Sequence, residues 1–444
     1  MKNKYFLNSL FYALIASIGG FLFGYHTAAI SGALIFITKD FNLSTFGQEF
    51  LVSLILLGAL FGSWFGGIIS DKIGRKKTFF LSIIILFIGT FLFTTTKSHF
   101  LLFSSRAIIG FSIGAFSTVV PIYIAEVSDP KYRGRLVSIN QLFLVLGILF
   151  SNIFAYFFTK TQNWEAIFIT GLIFALLMFI LLFFIPESPS FLANKNRSEE
   201  AINILKKVRE DIKNSEVLKK IENKNFSSEK PKKISLFAKS VRSAFFVGIG
   251  INIFRQITGI NIVTYYAPKI FQIAGLGVPH IAMLATALVT SINIIASIVG
   301  IWLIDKVGRR PLLIWGMFSM GVFLFLLSLS FYFKPSFLPI LVMISLMGFT
   351  SSFAIGIGQV SWLINAEIYP MSIRGKAAGV ATFVNWISNY VVALSFLTLF
   401  GSFGTFQTFF MFGIICIIAL IFSIKKVPET KGKSFLEIQE FFQK

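Results

Sequence analysis

Polar residues are gathered into short stretches of this chain, and between them run twelve apolar segments. They lie at 8–37, 50–69, 78–96, 100–125, 136–158, 165–185, 243–272, 281–304, 311–333, 337–366, 376–400 and 405–425. About 20 apolar residues make a helix long enough to cross the hydrocarbon of a bilayer. The pattern therefore predicts an all-α membrane protein with twelve transmembrane helices. Several runs exceed a straight crossing, so tilted or broken helices are expected. The first run is too long, and followed by too many others, for a cleaved signal peptide.

Composition agrees with that reading. Hydrophobic residues make up 55% of the 444, with 56 Phe, and only 13% are charged. A soluble domain of this size would lack polar surface. The single cysteine, Cys416, excludes an intramolecular disulfide and a cysteine-cluster metal site. A formal charge of +21 raises the question of nucleic acid. The basic residues, however, crowd into alternate loops and the two ends, and the opposite loops hold only Lys39, Lys97, Lys160, Lys269 and Lys334. That asymmetry is the signature of membrane orientation, with both termini cytoplasmic and the bilayer as the partner. A multi-pass protein of the plasma (inner) membrane is expected, with no nucleic-acid role.

The acidic residues fall in loops or at span ends, where Glu126 and Glu367 sit, and no carboxylate is expected deep in a span. His99 and His280 fall in outer loops. The ionisable groups of the membrane interior are then His26, Arg106 and Arg255. Polar charge at that depth is costly and marks function by default.

The two halves repeat. "SDKIGRKK" (70–77) answers "IDKVGRRP" (304–311), "EVSDPKYRGR" (126–135) answers "EIYPMSIRGK" (367–376), and "PESP" (186–189) answers "PETK" (428–431). The order is the same and the spacing is nearly constant. Two six-span halves are expected to face a binding site at the midplane. The boundaries are read as 1–190 for the first half, 191–242 for a cytoplasmic linker, 243–430 for the second half and 431–444 for the tail. In the linker, Ser198 followed by Glu199 and Glu200 reads as a helix start. Ala201, Leu205, Val208 and Ile212 then share one face, so short helices against the span ends are expected. A disordered basic linker suits 223–235 better.

At each "D-K-x-G-R" turn the glycine permits a tight reversal, and arginines can reach the acids at neighbouring span ends. The expected networks use Asp71, Arg75, Glu126, Arg133 and Arg135 in the first half, and Asp305, Arg309, Arg310, Glu367 and Arg374 in the second. Simple anchoring explains one such motif; a matched pair reads as latches of a two-state protein.

With these motifs stand "GGFLFGY" in the first span, "QITGINIVTYYAP" (256–268), "NWISNY" (385–390) and "PETKGKS" (428–434). Together they resemble the sugar porters of the major facilitator superfamily over essentially the whole chain. The resemblance implies twelve helices in two pseudo-symmetric halves, and alternating access around a bound monosaccharide, a hexose or pentose. A protein working as a monomer in the bilayer, with no cofactor, is expected. Neutral amides suit sugar hydroxyls and an indole suits the weakly apolar ring face. The spans offer Gln141, Gln256, Asn261, Asn293, Trp362, Asn385, Trp386 and Asn389, positions that line the sugar cavity in the porters this chain is similar to. A single buried amide is as readily an interhelical hydrogen bond; the joint match favours a ligand. Gly259 and Pro268 both weaken continuous helix in the seventh span, which is expected to break where it borders a cavity. Tyr265 and Tyr266 are expected at that break, closing the site from outside, unless they are interfacial aromatics.

The chain departs from the family at four places. His26 stands where the first span usually has Asp or Asn, and Arg255 replaces the first Gln of a pair. Gly358-Gln359 replaces a Gly-Pro, which is expected to stiffen the tenth span, and Ser190 replaces an Arg. In proton-coupled porters the resemblance implies an Asp in the first span paired with an Arg at the Arg106 position; facilitative ones have Asn. His26 is then the coupling group, since its ordinary pKa is near 6.5, or a neutral acceptor for Arg106 in a uniporter, or a packing residue. The balance leans slightly to proton coupling. Arg255 keeps an organic anion or sugar acid open as substrate, although the amide and Trp set favours neutral sugar. A sensor that binds sugar without carrying it trails, as its mark would be a long cytoplasmic extension. No nucleophile–base pair, metal cluster or phosphate loop suggests an enzyme.

Overall fold

The computed structural model describes residues 2–129, 132–208, 238, 241–369, 374–433, 437–438 and 441–442, with side chains except at 2–4, 305, 366, 374 and 375. Ile212 and the 223–235 stretch of the expected linker lie outside the described residues, as do the side chains of Asp305 and Arg374. Every described regular element is a helix. The first half holds α1 (Lys2–Asp40), α2 (Thr45–Ile73), α3 (Arg75–Thr95), α4 (His99–Glu126), α5 (Arg133–Lys160) and α6 (Trp164–Leu181). Two short helices follow, α7 (Pro189–Asn194) and α8 (Ser198–Val208). The second half holds α9 (Arg242–Ile257), α10 (Ile260–Ile273), α11 (Pro279–Val307), α12 (Arg309–Phe333), α13 (Leu338–Ile355), α14 (Ile357–Glu367), α15 (Arg374–Phe403) and α16 (Thr405–Lys426). Twelve stretches among the described residues are long and apolar enough to span a bilayer, with α9–α10 and α13–α14 each serving as one broken span.

The seventh span breaks at Gly259, one of the two residues expected to interrupt it, and the tenth span breaks although Gln359 was expected to stiffen it. The seventh span stops at Thr258 and restarts after Gly259, whose φ of 89° is left-handed. Pro268 lies inside α10 without ending it, and Tyr265 and Tyr266 sit within α10, past the break. A proline interrupts a helix only at the bond its missing N–H would make, whereas a left-handed residue ends the hydrogen-bond ladder outright. The tenth span breaks at Gly356, before the Gly358-Gln359 pair that was expected to stiffen it. There the two backbones touch: a Cβ on Gly356 would lie 2.8 Å from the Cα of Gly316 in α12. Glycine at a crossing lets helices meet where lipid gives no hydrophobic drive.

By contact the chain forms two compact units. The first comprises residues 1–33, 54–154 and 163–229, and the second 34–53, 155–162 and 230–444. In the first, small residues bring helices together in pairs. Gly58 and Gly62 of α2 press on the backbone of Ala107 and Phe111 in α4, and Gly110 and Gly114 of α4 press back on Ile55 and Ala59. Gly20 and Gly24 of α1 do the same against Asn140 and Leu144 of α5, with Gly147 of α5 returning against Phe21. The glycines of "GGFLFGY" are thus contact sites between helices. Hydroxyls add clips across such crossings, as when Ser112 Oγ donates to the Ser82 carbonyl at 2.6 Å. In the second unit α12 packs along α13 and α16, and α9 along α15.

The helix read from residue 198 is present. Ala201, Leu205 and Val208 are buried as one face, Phe191, Leu192 and Ala201 forming a small cluster with α7. Its last turn is tied to the start of α1, where Asn8 Nδ2 donates to the Lys207 carbonyl at 2.8 Å.

Candidate functional site

The two basic turns are built alike down to single hydrogen bonds. In the first unit Arg75 Nε and Nη2 grip Glu126 at 3.0 and 3.1 Å, and Nη1 donates to the Ser70 carbonyl at 3.0 Å. Ser188 Oγ donates to the same Glu126 at 2.5 Å. Glu187 accepts from the backbone N–H of Arg75 at 2.8 Å and of Lys76 at 3.2 Å, capping α3. In the second unit Arg309 Nη2 reaches Glu367 at 3.1 Å and Nη1 the Ile304 carbonyl at 3.1 Å. Thr430 Oγ1 donates to Glu367 at 2.5 Å, and Glu429 accepts from the N–H of Arg309 and Arg310 at 3.1 and 3.0 Å. A carboxylate at a helix start satisfies orphan N–H groups and complements the dipole. Burial by itself would push the Glu429 carboxyl up, yet backbone N–H groups of Lys431, Arg309, Arg310 and Thr430 hold it below the usual carboxylate range. Gly74 and Gly308 open these helices at φ of 103° and 107°, and a Cβ on either would run into Glu187 or Glu429.

Of the residues expected in these networks, Arg75, Glu126, Arg309 and Glu367 form the centres. Asp71 adds an exposed pair with Arg75 at 3.0 Å, and Arg310 instead donates to the Ile424 carbonyl at 2.7 Å. Arg133 and Arg135 stand exposed at the first turn of α5, and among the described residues neither is bonded to Glu126. Glu187, Ser188, Glu429 and Thr430 were missed as participants. The signal was present: an acid followed by a hydroxyl occupies the same place in "PESP" and "PETK".

Most of the polar residues expected to meet a ligand converge in the second unit. Asn385, Asn389 and Ala393 lie on successive turns of α15 and so face one way. Gln256 Nε2 donates to Asn385 Oδ1 at 2.8 Å, just before the Gly259 break. Beyond it, Asn389 Nδ2 donates to the Tyr265 hydroxyl at 3.2 Å, and Tyr266 Oη donates to the Ala393 carbonyl at 3.0 Å. Both tyrosines are buried. The broken seventh span is thus stitched turn by turn to α15 while its backbone is interrupted. The stitching continues laterally. Asn261 Nδ2 donates to Gln256 Oε1 at 2.6 Å, and Arg255 Nη1 shares Asn385 Oδ1 at 3.5 Å. The Arg255 guanidinium lies 4.6 Å from the ring centre of Trp362, which is 44% exposed, and 6.0 Å from that of Phe353. Arg255 therefore has an aromatic platform and an amide partner, and no carboxylate is bonded to it among the described residues. Trp386 is buried beside Asn385 in sequence on α15. Asn293 is half-buried on α11 and accepts from Ser297 Oγ at 3.3 Å, outside this relay.

The first unit holds Gln141, half-buried on α5, and the His26–Arg106 pair. Both members of the pair are completely buried. The Arg106 guanidinium lies over the rings of Phe93 and Phe168, 5.6 and 5.8 Å from their centres, a contact that stabilises a cation in an apolar setting. Phe168 also packs against the His26 ring, with 6.5 Å between ring centres. That ring packs edge-on to Tyr25, and its Nε2 faces Gly171 of α6, where a Cβ would come within 2.8 Å. Neither ring nitrogen has a hydrogen-bond partner among the described residues. Tyr25 beside it is tied instead, to Thr170 Oγ1 at 2.5 Å and the Ile167 carbonyl at 2.7 Å.

Glu49 is at a span end, as expected of the acids, in the second turn of α2, and it is fully buried there. Helix α2 starts at Thr45, several residues before the apolar run, so Gln48 and Glu49 belong to its first turns.

Twelve spans, paired arginine–glutamate turns and a broken helix stitched by amides describe a transporter of the major facilitator fold. The model of the sugar (and other) transporter family matches residues 12–442, and the chain belongs to that family, whose members move solutes and are not enzymes. It is 37% identical to a probable metabolite transport protein, CsbC, of Bacillus subtilis, over 96% of this chain and 93% of that one. It is 33% identical to the arabinose-proton symporter of the same organism, over 97% and 94%. Among solved structures, the xylose transporter XylE of E. coli in an inward-open conformation superposes with a TM-score of 0.83 at 30% identity, covering 97% of this chain and 98% of that one.

Proposed function

We propose that this protein carries a neutral monosaccharide across the plasma membrane by alternating access, with uptake driven by a proton gradient, as a monomer with both termini cytoplasmic. The observation that carries the substrate reading is the relay Asn261–Gln256–Asn385, continued through Arg255 to the exposed face of Trp362. Within it each amide's orientation is set by its neighbour, which among the described residues leaves Asn385 Nδ2 free to donate and Asn261 Oδ1 free to accept. Paired donors and acceptors beside an indole suit a pyranose. Gln141, Asn293 and Trp386 complete the proposed set. Arg255 stacked on Trp362 serves as a fixed donor to hydroxyls, which favours neutral sugar over a sugar acid. Proton coupling is supported by relatives whose names carry it, the arabinose-proton symporter and the proton:xylose symporter XylE. In this chain the role falls to His26, acting with Arg106.

The test is uptake of labelled hexoses, pentoses and sugar acids into liposomes holding the purified protein, with and without an inward proton gradient. Accumulation above equilibrium only with the gradient is expected. Equilibration that ignores the gradient rejects symport, and a preference for sugar acids that is lost in Arg255→Gln rejects the neutral substrate.

A further inference from the structure

Glu49 is a fully buried carboxylate in a membrane-spanning helix, and none of the residues so far assigned to sugar or proton touches it. A buried carboxylate costs several kcal/mol unless its oxygens are satisfied. Here both are. Oε1 accepts from the backbone N–H of Thr398 at 2.7 Å, and Oε2 accepts from the Thr398 hydroxyl at 2.6 Å. The preceding residue, Gln48, accepts at Oε1 from Lys269 Nζ at 2.9 Å, and the Lys269 ammonium and the Tyr266 ring lie within electrostatic reach of Glu49. Two consecutive residues of α2 are thus bonded to α10 and α15.

These contacts join parts of the chain that the internal repeat assigns to opposite halves. Residues 34–53, the end of α1 and the start of α2, belong to the same compact unit as 230–444. With both termini cytoplasmic, that end of α2 is the outer one. On the alternating-access reading above, the outer ends of the two halves part whenever the site opens outward. The Glu49–Thr398 bonds then break and reform once per cycle. A charged group suits that duty: in the closed state it is held by two donors, and in the open state water replaces them, so neither state strands it.

We propose that Glu49 is the latch of the outer gate, a positioning residue that sets how readily the transporter opens outward and that does not contact sugar. Removing the carboxylate frees the Thr398 N–H and hydroxyl together. Glu49→Ala therefore shifts the population toward outward opening strongly. Thr398→Val leaves the N–H bond and shifts it less. Glu49→Gln keeps one acceptor oxygen but loses the charge facing Lys269, and falls between.

The test reads the gate directly and needs no substrate. Spin labels at Lys39→Cys and Ser402→Cys, both exposed residues near the outer ends of α1 and α15, report the outer distance in the full-length protein in nanodiscs. The native Cys416 is buried and stays unlabelled. The expected result is a longer-distance population that grows several-fold in Glu49→Ala and less in Thr398→Val. Sugar KM and maximal rate are expected to move together, since gating feeds both. Unchanged distances in a monodisperse Glu49→Ala protein would overturn the proposal. So would a pure loss of sugar affinity with the distances unmoved, which would make Glu49 a ligand contact. If Glu49→Ala does not fold, Thr398→Val decides by the same two readouts. A failure of the sugar reading would appear in the liposome assay and leave these distances as they are.

Discussion

Arg255 and His26 both stand where the resemblance to sugar porters leads to the expectation of other residues, and the protein accommodates them in opposite ways. Arg255 is connected: its guanidinium lies on Trp362 and shares the Asn385 oxygen with Gln256. His26 is enclosed: Gly171, Tyr25 and Phe168 surround it, and its nitrogens have no hydrogen-bond partner among the described residues. A group held in a network contributes through its neighbours, so losing it is partly compensated. An enclosed group has no substitute, and whatever it does depends on its own chemistry. The lesson is that an unusual residue is better judged by what it is bonded to than by its type.

The contrast can be broken first at His26. If its imidazole carries the coupling proton, His26→Asn is expected to abolish gradient-driven accumulation altogether while sugar exchange between equal pools continues. Accumulation ratios in liposomes check this, and a variant that still concentrates sugar removes His26 from the coupling. Next comes the relay. Gln256→Leu leaves the Asn385 oxygen and the Asn261 amide without their shared partner, and a buried polar group stranded in this way costs about 1–3 kcal/mol. Sugar affinity, measured by equilibrium binding, is expected to fall by roughly 10- to 100-fold. Arg255→Gln is expected to do less. An amide can still bond Asn385, and only the stacking on Trp362 goes, a term of about 0.5–2 kcal/mol. A loss for neutral sugars as large as that of Gln256→Leu would show that the guanidinium contributes more than a hydroxyl donor that an amide can replace.

The smallest expected effect lies in the repeated turns. The folded protein holds the Glu429 carboxyl below the usual carboxylate range. Its contribution is present above the unfolded value of about 4.3 and is lost as pH falls below that toward the folded pKa. Wild type is therefore expected to lose slightly more thermal stability than Glu429→Gln when acidified from pH 5 through pH 4. Equal slopes in melting temperature against pH would show that the cap contributes nothing measurable.

Much of this was legible in the chain itself. Apolar run length marks the spans because a bilayer admits only backbone that satisfies its own hydrogen bonds. The duplicated "D-K-x-G-R" turns announced the arginine–glutamate centres. The amides of "QITGIN" and "NWISN" announced the relay, though not its order or that Arg255 would join it. Other features were hidden for physical reasons. Gly356 and Pro268 look equally disruptive on paper. Whether a helix stops depends on which hydrogen bond is lost and on what packs there, such as Gly316 against Gly356. The burial of Glu49 was hidden because a Gln-Glu pair at the edge of an apolar run is usually solvated.

The sequence by itself determined twelve spans, their repeat, the family and the residue types available to a sugar. Those properties depend on local hydrophobicity and spacing, which the chain carries in any conformation. Only the tertiary structure decided which amide orients which, that Arg255 rests on Trp362, that His26 is enclosed and that Glu49 is bound to Thr398. Each of these depends on residues far apart in sequence, and the value of a buried polar group is set by the partner that packing brings to it.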